Sequence, residues 1–240
     1  MGTKVDNHHL DSNFVSAQWV NFINKYNLTT QQATQFKHYL DLLVEWNNKF
    51  NLTAITNEAE IIKYHFDDSL AISKHLDFQT LQTTADIGTG AGFPGLALKI
   101  LFPHLHMILI EVNNKKRSFL AHVAQELELE NVIIYAEDWR TFLRTVPNKN
   151  TLVRGPHLKC NTEWEQIDYF FARASLQPEE LVRVFKPSCA YKNATLVYWA
   201  SEQWKPEKRE ACFVEKEIVY TLDTVQRKLI FFCTKKLKNN

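Results

Sequence analysis

The fold of this chain is decided by residues 86–95, Asp86-Ile87-Gly88-Thr89-Gly90-Ala91-Gly92-Phe93-Pro94-Gly95. Four of the six glycines in the 240-residue sequence fall here, between an apolar strand-like run and a helix-like run. Glycine adopts positive φ at little cost and lets a ligand approach the main chain, so such loops follow the first strand of nucleotide-binding βαβ units. The segment predicts a strand, a ligand-binding turn and a helix. A tight turn without a ligand is the alternative.

Downstream of this loop, strand-like and helix-like stretches alternate. Strands are predicted at residues 85–87, 107–111, 132–135, 167–172 and 195–199, and helices at 95–101, 115–127, 139–145 and 178–185. Strand and helix in turn predict a doubly wound, mostly parallel sheet. Residues 212–220 and 228–233 predict an antiparallel strand pair at its C-terminal end. Residues 147–165 show little periodicity and predict a long loop.

The first 80 residues show helical periodicity instead. Apolar residues recur at helical spacing in residues 14–26 and 36–46, which predicts two amphipathic helices, and a third is predicted over residues 58–76. We therefore expect an N-terminal helical region, residues 1–80, packed on the core of an α/β domain formed by residues 81–240.

Composition excludes several classes of protein. Lys and Arg number 28 against 27 Asp and Glu, a net charge of +1, so any contact with a polyanion must come from a local patch. The cysteines, at positions 160, 189, 212 and 233, lack paired ligand spacing, so we expect neither a metal site nor disulfides. There is no signal core and no run of about 18 apolar residues. We expect a cytoplasmic protein without membrane contact.

Two acidic residues follow the next two predicted strands. Glu111 is placed to accept both hydroxyls of a ribose, and Asp138 to accept an adenine amino hydrogen while the backbone N–H of Trp139 serves a ring nitrogen. Taken singly, Glu111 is interpreted as a solvated strand-end carboxylate and Asp138 as a helix N-cap. A dinucleotide loop is disfavoured because Pro94 removes an N–H donor at the expected helix start. Together with residues 86–92, the two carboxylates have the order and spacing of the S-adenosylmethionine-binding turns of class I methyltransferases.

The chain resembles the RsmG, or GidB, family of methyltransferases, which modify N7 of a guanosine in bacterial small-subunit (16S) ribosomal RNA. The resemblance covers about residues 36–175. It is carried by Trp46-Asn47, Asn51-Leu52-Thr53-Ala54-Ile55, His65 with Asp68-Ser69-Leu70, residues 86–95, Lys115-Lys116, Phe119-Leu120, Leu129-Glu130-Asn131-Val132 and Ala172-Arg173-Ala174. It implies a class I (Rossmann-like) methyltransferase fold, α/β, with S-adenosylmethionine as the cofactor.

The resemblance also implies site residues. Cofactor contacts are implied at Gly88 and Phe93, at the turn holding Trp139 and Arg140, and at Arg173. With the motifs above, the expected cofactor-binding set is Gly88, Gly90, Gly92, Phe93, Glu111, Asp138, Trp139 and Arg140. The chain departs from the family pattern at Glu111, where aspartate is usual, and in the turns at residues 138–141 and 186–189.

Methyl transfer to guanine N7 needs no general base, because N7 carries an in-plane lone pair and no proton. Positioning should supply most of the rate. Arg173 is the expected positioning residue, oriented toward the base or the cofactor carboxylate, and an ion pair with Glu179 or Glu180 is its alternative role. His65 and Asp68 could face the cofactor, but a buried packing histidine is the favoured interpretation.

The target base must be unpaired or flipped out, because N7 in A-form RNA faces a deep, narrow groove. We expect Lys115, Lys116 and Arg144 to hold the RNA backbone, with a solvated surface as the alternative. The expected partner of a monomeric protein is small-subunit ribosomal RNA or the 30S particle. Two other functions stay open: an NAD-linked oxidoreductase, and a catalytically impaired ribosome-assembly factor that retains the fold.

Overall fold

The computed structural model describes residues 16–144, 152–153, 166–174 and 176–235. The described chain begins with two helices, as predicted. α1 (Ala17–Tyr26) is capped by the Ser16 side chain, and α2 (Thr30–Phe50) is capped by Thr29 in a capping box. Both helices end at an asparagine in the left-handed conformation, which satisfies carbonyls of the last turn.

The predicted third helix over residues 58–76 is confirmed as a helical segment over residues 58–74, but it is not one regular α-helix. The segment consists of α3 (Glu58–Ile61), a π-helical turn (Ile62–Asp67), α4 (Asp68–Leu70) and a 3₁₀ turn (Ala71–Lys74). The irregular segment presents the Tyr64 carbonyl, the His65 ring and the Asp68 carboxylate to one guanidinium, that of Arg173. Helical periodicity in the sequence cannot reveal such a turn, because the contacts come from a distant strand.

An eight-stranded sheet has the order β4-β3-β2-β1-β5-β6-β8-β7. The strands are β1 (Thr83–Ile87), β2 (His106–Ile110), β3 (Val132–Tyr135), β4 (Leu152–Val153), β5 (Tyr169–Arg173), β6 (Thr195–Ser201), β7 (Val214–Leu222) and β8 (Val225–Phe232). Strands β3, β2, β1, β5 and β6 are parallel, and β8 is antiparallel to both β6 and β7. The predicted doubly wound sheet with an antiparallel C-terminal pair is confirmed.

The helices between the strands are α5 (Gly95–Leu101), α6 (Asn114–Glu126), α7 (Trp139–Arg144), α8 (Pro178–Val184) and α9 (Lys208–Ala211). The predicted bounds of α5 to α8 are confirmed to within one residue at each end. α9 was not predicted, because four residues are too few to show a hydrophobic period.

The prediction of a long loop over residues 147–165 is wrong at Leu152–Val153. These two residues form β4, which pairs antiparallel with Ile134 and Tyr135 at the edge of the sheet. Two residues give too short a pattern to be recognised as a strand. The rest of that prediction lies outside the described residues, as do residues 1–15 of the expected N-terminal region.

Both faces of the sheet are covered. On one face, the N-terminal helices share a single apolar cluster with α5, α6 and the strands; its members include Trp19, Phe36, Phe66, Leu96, Leu109 and Phe119. On the other face, α7 and α8 pack on the sheet; that cluster includes Phe142, Phe170, Leu181 and Tyr191. The N-terminal helices therefore have a common core with the sheet. Within the described part of the chain, the structure contains no helix with the length and apolar character of a membrane span.

Candidate active site

The residues predicted to bind a cofactor follow strands that end at one edge of the sheet. The parallel registers pair Ile87 with both Ile110 and Ala172, and Ile110 with Tyr135. The glycine loop, the next two turns and Arg173 therefore start from neighbouring strand ends. Ligands of open α/β sheets bind outside this carboxyl edge, so the topology brings the predicted residues to the expected place.

The glycine loop combines tightly packed positions with one open position. Three of its residues have positive φ: Gly88 (62°), Gly90 (61°) and Gly92 (97°). A Cβ atom on Gly92 would collide with the Tyr39 hydroxyl, and a Cβ on Gly95 would lie 2.5 Å from Leu109 Cδ2. Beyond its chain neighbours, a Cβ on Gly90 would meet no described atom closer than 3.9 Å. Packing requires glycine at positions 92 and 95, whereas the space beside Gly90 is free for a ligand.

Asp86, at the end of β1, is fully buried beneath this loop. Its Oδ2 accepts hydrogen bonds from the Thr89 hydroxyl at 2.6 Å and from the Gly95 N–H at 2.8 Å. Burial raises the pKa of this carboxyl to about 6, although those hydrogen bonds and the nearby Arg173 act in the opposite direction. The other oxygen, Oδ1, is buried and has no hydrogen-bond partner among the described residues. Because the protein itself covers this oxygen, it is not accessible to a bound ligand in this conformation, and the carboxylate serves to hold the loop.

Glu111, which follows β2, is buried rather than solvated. One carboxylate oxygen accepts a hydrogen bond from the Gly90 N–H at 3.0 Å, and the other accepts one from the Asn113 N–H at 2.8 Å. The interpretation as a solvated strand-end carboxylate is therefore wrong. Through these two hydrogen bonds, Glu111 links the glycine loop to the turn after β2. Each of its carboxylate oxygens keeps a second lone pair that can accept a further hydrogen bond. Contact with a ribose stays a prediction.

The turn after β3 begins with a helix N-cap. Asp138 Oδ1 accepts hydrogen bonds from the N–H groups of Arg140 and Thr141, at 2.8 and 3.0 Å. Trp139 is buried, and its indole N–H has no hydrogen-bond partner among the described residues. The Arg140 guanidinium lies 5.5 Å from the Trp139 ring centroid and pairs with Glu180 at 3.4 Å. The N-cap role of Asp138 is confirmed, while a contact with adenine stays a prediction.

Phe93, in the same loop, uses its ring for packing. The ring stacks on His65 with centroids 4.6 Å apart, and on Tyr39 with centroids 5.2 Å apart. Only 5% of Phe93 is exposed, so in the described conformation its ring is engaged in packing and is not open to a ligand. His65 shares a hydrogen bond of 2.8 Å with Thr53 through Nε2. Burial and the neighbouring Arg173 lower the pKa of His65 to about 3, so this packing histidine is neutral.

Arg173, the last residue of β5, is held by the irregular segment after α3. Its Nη1 donates to the Tyr64 carbonyl at 2.8 Å and to Asp68 Oδ2 at 3.0 Å, and its Nη2 lies 3.4 Å from His65 Nδ1. The alternative of an ion pair with Glu179 or Glu180 names the wrong partner, because Arg173 pairs with Asp68. Three of the five guanidinium N–H donors are used in these contacts.

Asp68 is a residue whose partners the sequence did not reveal. Its side chain is 2% exposed, and it also accepts a hydrogen bond from the Tyr220 hydroxyl at 2.5 Å and lies 3.4 Å from the guanidinium of Arg227. The partners lie 105 to 159 positions away in the sequence. The three-residue spacing from His65 was the available signal, and it does not identify these partners.

Of the basic residues expected to contact RNA, Lys115 and Lys116 lie near this edge of the sheet, whereas Arg144 lies at the far end of its helix. Lys115 and Lys116 begin α6, where the Asn113 side chain caps the helix, and Arg144 ends α7. Arg117, the third cation of this run, is structural: its guanidinium donates to the carbonyls of Glu111 at 3.1 Å and of Ala136 at 3.3 Å. It thereby joins the turns after β2 and β3.

Solved structures share this fold at low sequence identity. A point mutant of MtNAS superposes with a TM-score of 0.52 at 12% identity, over 92% of this chain and 82% of that chain. MtNAS in complex with MTA and tNA gives a TM-score of 0.51 at 10% identity, over 84% of this chain and 74% of that chain. At such identities the similarity concerns the fold alone.

Curated bacterial proteins are much more similar in sequence. Ribosomal RNA small subunit methyltransferase G of Exiguobacterium sp. is 50% identical over 110 residues, 46% of each chain. The proteins of the same name from Brevibacillus brevis and Bacillus subtilis are 53% identical over 105 residues and 44% identical over 115 residues, covering 44% and 48% of each chain. The matched segment therefore spans about half the length of these relatives.

The GidB family model, described as rRNA small subunit methyltransferase G, matches residues 32–233. This range extends from the start of α2 to the end of β8, so it includes both the helical segment that holds Arg173 and the complete sheet. The fold is the class I, Rossmann-like methyltransferase fold with helices before its first strand. The match to the family model, the sequence relatives and the strand order together show that this chain belongs to the GidB family of small-subunit rRNA methyltransferases.

Proposed function

We propose that this protein is an S-adenosylmethionine-dependent methyltransferase that methylates N7 of a guanosine in small-subunit (16S) ribosomal RNA. Family membership supports the reaction and its substrate. The single observation that carries the proposal is the open space beside Gly90, since a side chain there would meet only ordinary contacts while Gly92 and Gly95 are enclosed. The cofactor occupies this space.

The residues around the loop fit S-adenosylmethionine. Asp86, beneath the loop, fixes its conformation through the Thr89 hydroxyl and the Gly95 N–H. Glu111 is already fixed by two main-chain N–H groups, and its remaining lone pairs suit the hydroxyls of a ribose. The turn at Asp138, Trp139 and Arg140 holds the adenine. Gly88 and Phe93 complete the set.

The bound cofactor supplies a methyl group activated by a sulfonium. The protein orients the acceptor and excludes water, and positioning of this kind corresponds to roughly 7–11 kcal/mol of the barrier. The neutral His65, with both nitrogens engaged by Arg173 and Thr53, is not available as a general base. This agrees with an acceptor that has no proton to lose. Arg173, fixed by Asp68, positions the base or the cofactor carboxylate with its remaining donors.

The substrate follows from the same proposal. Lys115, Lys116 and Arg144 contact the backbone of ribosomal RNA, either in the 30S particle or as free RNA, while the target guanosine lies outside the helical stack. The protein acts as a monomer in the bacterial cytoplasm, without a metal ion and without membrane contact. The N-terminal helical region, residues 1–80, and the methyltransferase domain, residues 81–240, act as one unit.

Tritiated S-adenosylmethionine tests the reaction. Incubation with small subunits from a strain that lacks this modification should label the 16S RNA, and analysis of the nucleosides should recover the label as 7-methylguanosine. Fully modified subunits are the control and should stay unlabelled. Bound cofactor without transfer to unmodified subunits would instead support the impaired assembly factor.

Calorimetry distinguishes the proposed methyltransferase from the alternative, an NAD-linked oxidoreductase. S-adenosylhomocysteine should bind and NAD should not, because the loop carries Pro94 at the position preceding α5 and lacks the N–H donor that a pyrophosphate would use there. Tight NAD binding would contradict the proposed function.

A further inference from the structure

An exposed aromatic ring lies beside the basic start of α6. Phe50 is the last residue of α2, and 37% of it is exposed. Lys115 places its ammonium nitrogen 5.5 Å from the Phe50 ring centroid, and Trp46 packs against the same ring with centroids 5.4 Å apart. Among the exposed large hydrophobic residues of the described chain, which are Val44, Phe50, Val112, Val219 and Val225, Phe50 is the aromatic one. A single exposed apolar residue is ordinary, but an aromatic ring beside a lysine ammonium has the chemistry to stack on a nucleic-acid base.

This ring is connected to the glycine loop through neighbouring residues. Lys116 Nζ lies 3.9 Å from the position that a Cβ atom on Gly90 would occupy. Val112, 61% exposed, lies between Glu111 and the Asn113 cap of α6. Phe50, Val112, Lys115 and Lys116 thus form one aromatic and basic surface, which we call the α6 surface, at the mouth of the open space.

The charge of the α6 surface is positive. Within the described ranges, no carboxylate lies within 4.0 Å of the ammonium of Lys115 or of Lys116. Glu45, the acidic residue of α2 closest in sequence to Phe50, is paired with Lys49 at 2.7 Å. Two unpaired lysines beside an exposed ring are complementary to a polyanion that carries aromatic bases.

We propose that the α6 surface binds a single-stranded segment of the RNA substrate, with one base stacked on Phe50 and the adjacent phosphates on Lys115 and Lys116. This inference rests on the proposed function, since it assigns the approach path of the RNA to the site at Gly90. Without RNA, the Lys115 ammonium interacts with the face of the ring. When RNA binds, a base replaces it there, and the flexible lysine side chain reaches a phosphate. Val112 adds apolar contact area for the sugar or the base.

Two RNA probes test the stacking contact. The first is a fluorescein-labelled single strand of about 12 nucleotides of mixed sequence, and the second is a strand of equal length and charge without bases. Phe50→Ala should weaken binding of the first probe roughly tenfold and leave the second unchanged, because only the first can stack. Phe50→Trp should retain the affinity. Lys115→Met with Lys116→Met should weaken binding of both probes and lower the salt slope by about 1.4.

Val44→Ala is the matched control, because it removes an equally exposed apolar side chain from the same helix, outside the α6 surface. S-adenosylhomocysteine affinity, measured by calorimetry, checks that each variant keeps its cofactor site. If Phe50→Ala binds both probes as Val44→Ala does, the inference is overturned. If Phe50→Ala weakens binding of the first probe but the parent protein fails to methylate unmodified subunits, the proposed function is contradicted and the α6 surface is supported. Methylation with no dependence on Phe50 would contradict the α6 surface alone.

Discussion

Gly90 has free space at the position that a Cβ atom would occupy, whereas the same position on Gly92 and on Gly95 is filled by neighbouring side chains. The sequence predicted a ligand loop from the density of glycines, but it could not separate these positions, because their difference depends on Tyr39 and Leu109 from other elements. The same limit applies to carboxylates. Sequence order placed Asp86 and Glu111 at adjacent strand ends, whereas their burial and their hydrogen-bond partners needed the folded chain.

Replacement of Gly90 by alanine should affect the ligand more than the fold. The new methyl group meets no close contact, but it enters the open space and is held at a φ of 61°. We expect a loss of about 1 kcal/mol in unfolding free energy from backbone strain, together with a loss of S-adenosylhomocysteine affinity of at least about tenfold. Calorimetry and urea unfolding measure the two quantities.

Gly95→Ala is the contrasting variant, because its methyl group would lie 2.5 Å from Leu109 Cδ2 and 2.9 Å from Asp86 Oδ2. It should lose clearly more stability than Gly90→Ala. An undiminished affinity of Gly90→Ala for S-adenosylhomocysteine would place the ligand elsewhere.

Asp86 should make stability depend on pH in a defined range. Its pKa is raised from 3.8 to about 6 in the folded protein. Between these values the unfolded carboxyl ionises while the folded one keeps its proton, so the free energy of unfolding falls as pH rises. The contribution levels off above about pH 6, after a total change of about 3 kcal/mol.

Asp86→Asn removes this titration, so urea unfolding of both proteins from about pH 4 to pH 7 checks it. As pH rises across this range, the free energy of unfolding of the parent protein should fall relative to that of Asp86→Asn. Parallel curves would show that Asp86 does not carry the raised pKa.

At the scale of elements, the segment from α3 to α4 determines how the site is held. The apolar pattern of the sequence predicted α5 to α8 closely, because these helices bury apolar residues against the sheet. The same pattern predicted the helical extent of residues 58–74 but not the π-helical turn, because Arg173 of β5, the shared partner of Tyr64, His65 and Asp68, is distant in the sequence. Resemblance to a family marked His65, Asp68 and Arg173 as noteworthy, but it did not show that they contact one another.

Asp68→Asn should destabilise the protein strongly, because it leaves the mostly buried Arg173 guanidinium without its counter-charge. Loss of one partner of a buried ion pair costs about 3–5 kcal/mol. We further expect lower turnover, because Arg173 is no longer fixed. Urea unfolding and single-turnover methyl transfer measure these effects.

Asp67→Asn is the matched control at the adjacent position. Asp67 pairs with the partly exposed Lys25 and accepts a hydrogen bond from Tyr26, and it is not among the contacts of Arg173. Its loss should cost about 1 kcal/mol and leave turnover intact. Equal effects of the two substitutions would remove Asp68 from the role of positioning Arg173.

At the scale of the whole molecule, one apolar cluster joins the N-terminal helices to the sheet. The alternation of strands and helices predicted the sheet, and the N-terminal periodicity predicted separate helices. How the two parts meet could not be read from the sequence, because each helix shows an apolar face without showing its partner. Trp46 of α2, for example, packs against Phe119 of α6 with ring centroids 5.6 Å apart.

The two parts should therefore unfold together. Phe36→Ala, at a fully buried position, should cost about 3–5 kcal/mol. Far-ultraviolet circular dichroism and bound S-adenosylhomocysteine should report one coincident urea transition in both the parent and the variant. Separate transitions for the helices and for the cofactor site would show that the N-terminal region is energetically independent.

The stacking of Phe93 between Tyr39 and His65 has a consequence for protein engineering and for divergence within the family. Because Phe93 of the glycine loop packs between α2 and the π-helical turn, the loop and the sheet cannot be moved into another protein without these helical residues. Chimaeras that exchange the leading helices between homologues must carry matched residues at positions 39, 65 and 93 as a set. Substitutions at these three sites are accordingly expected to co-vary.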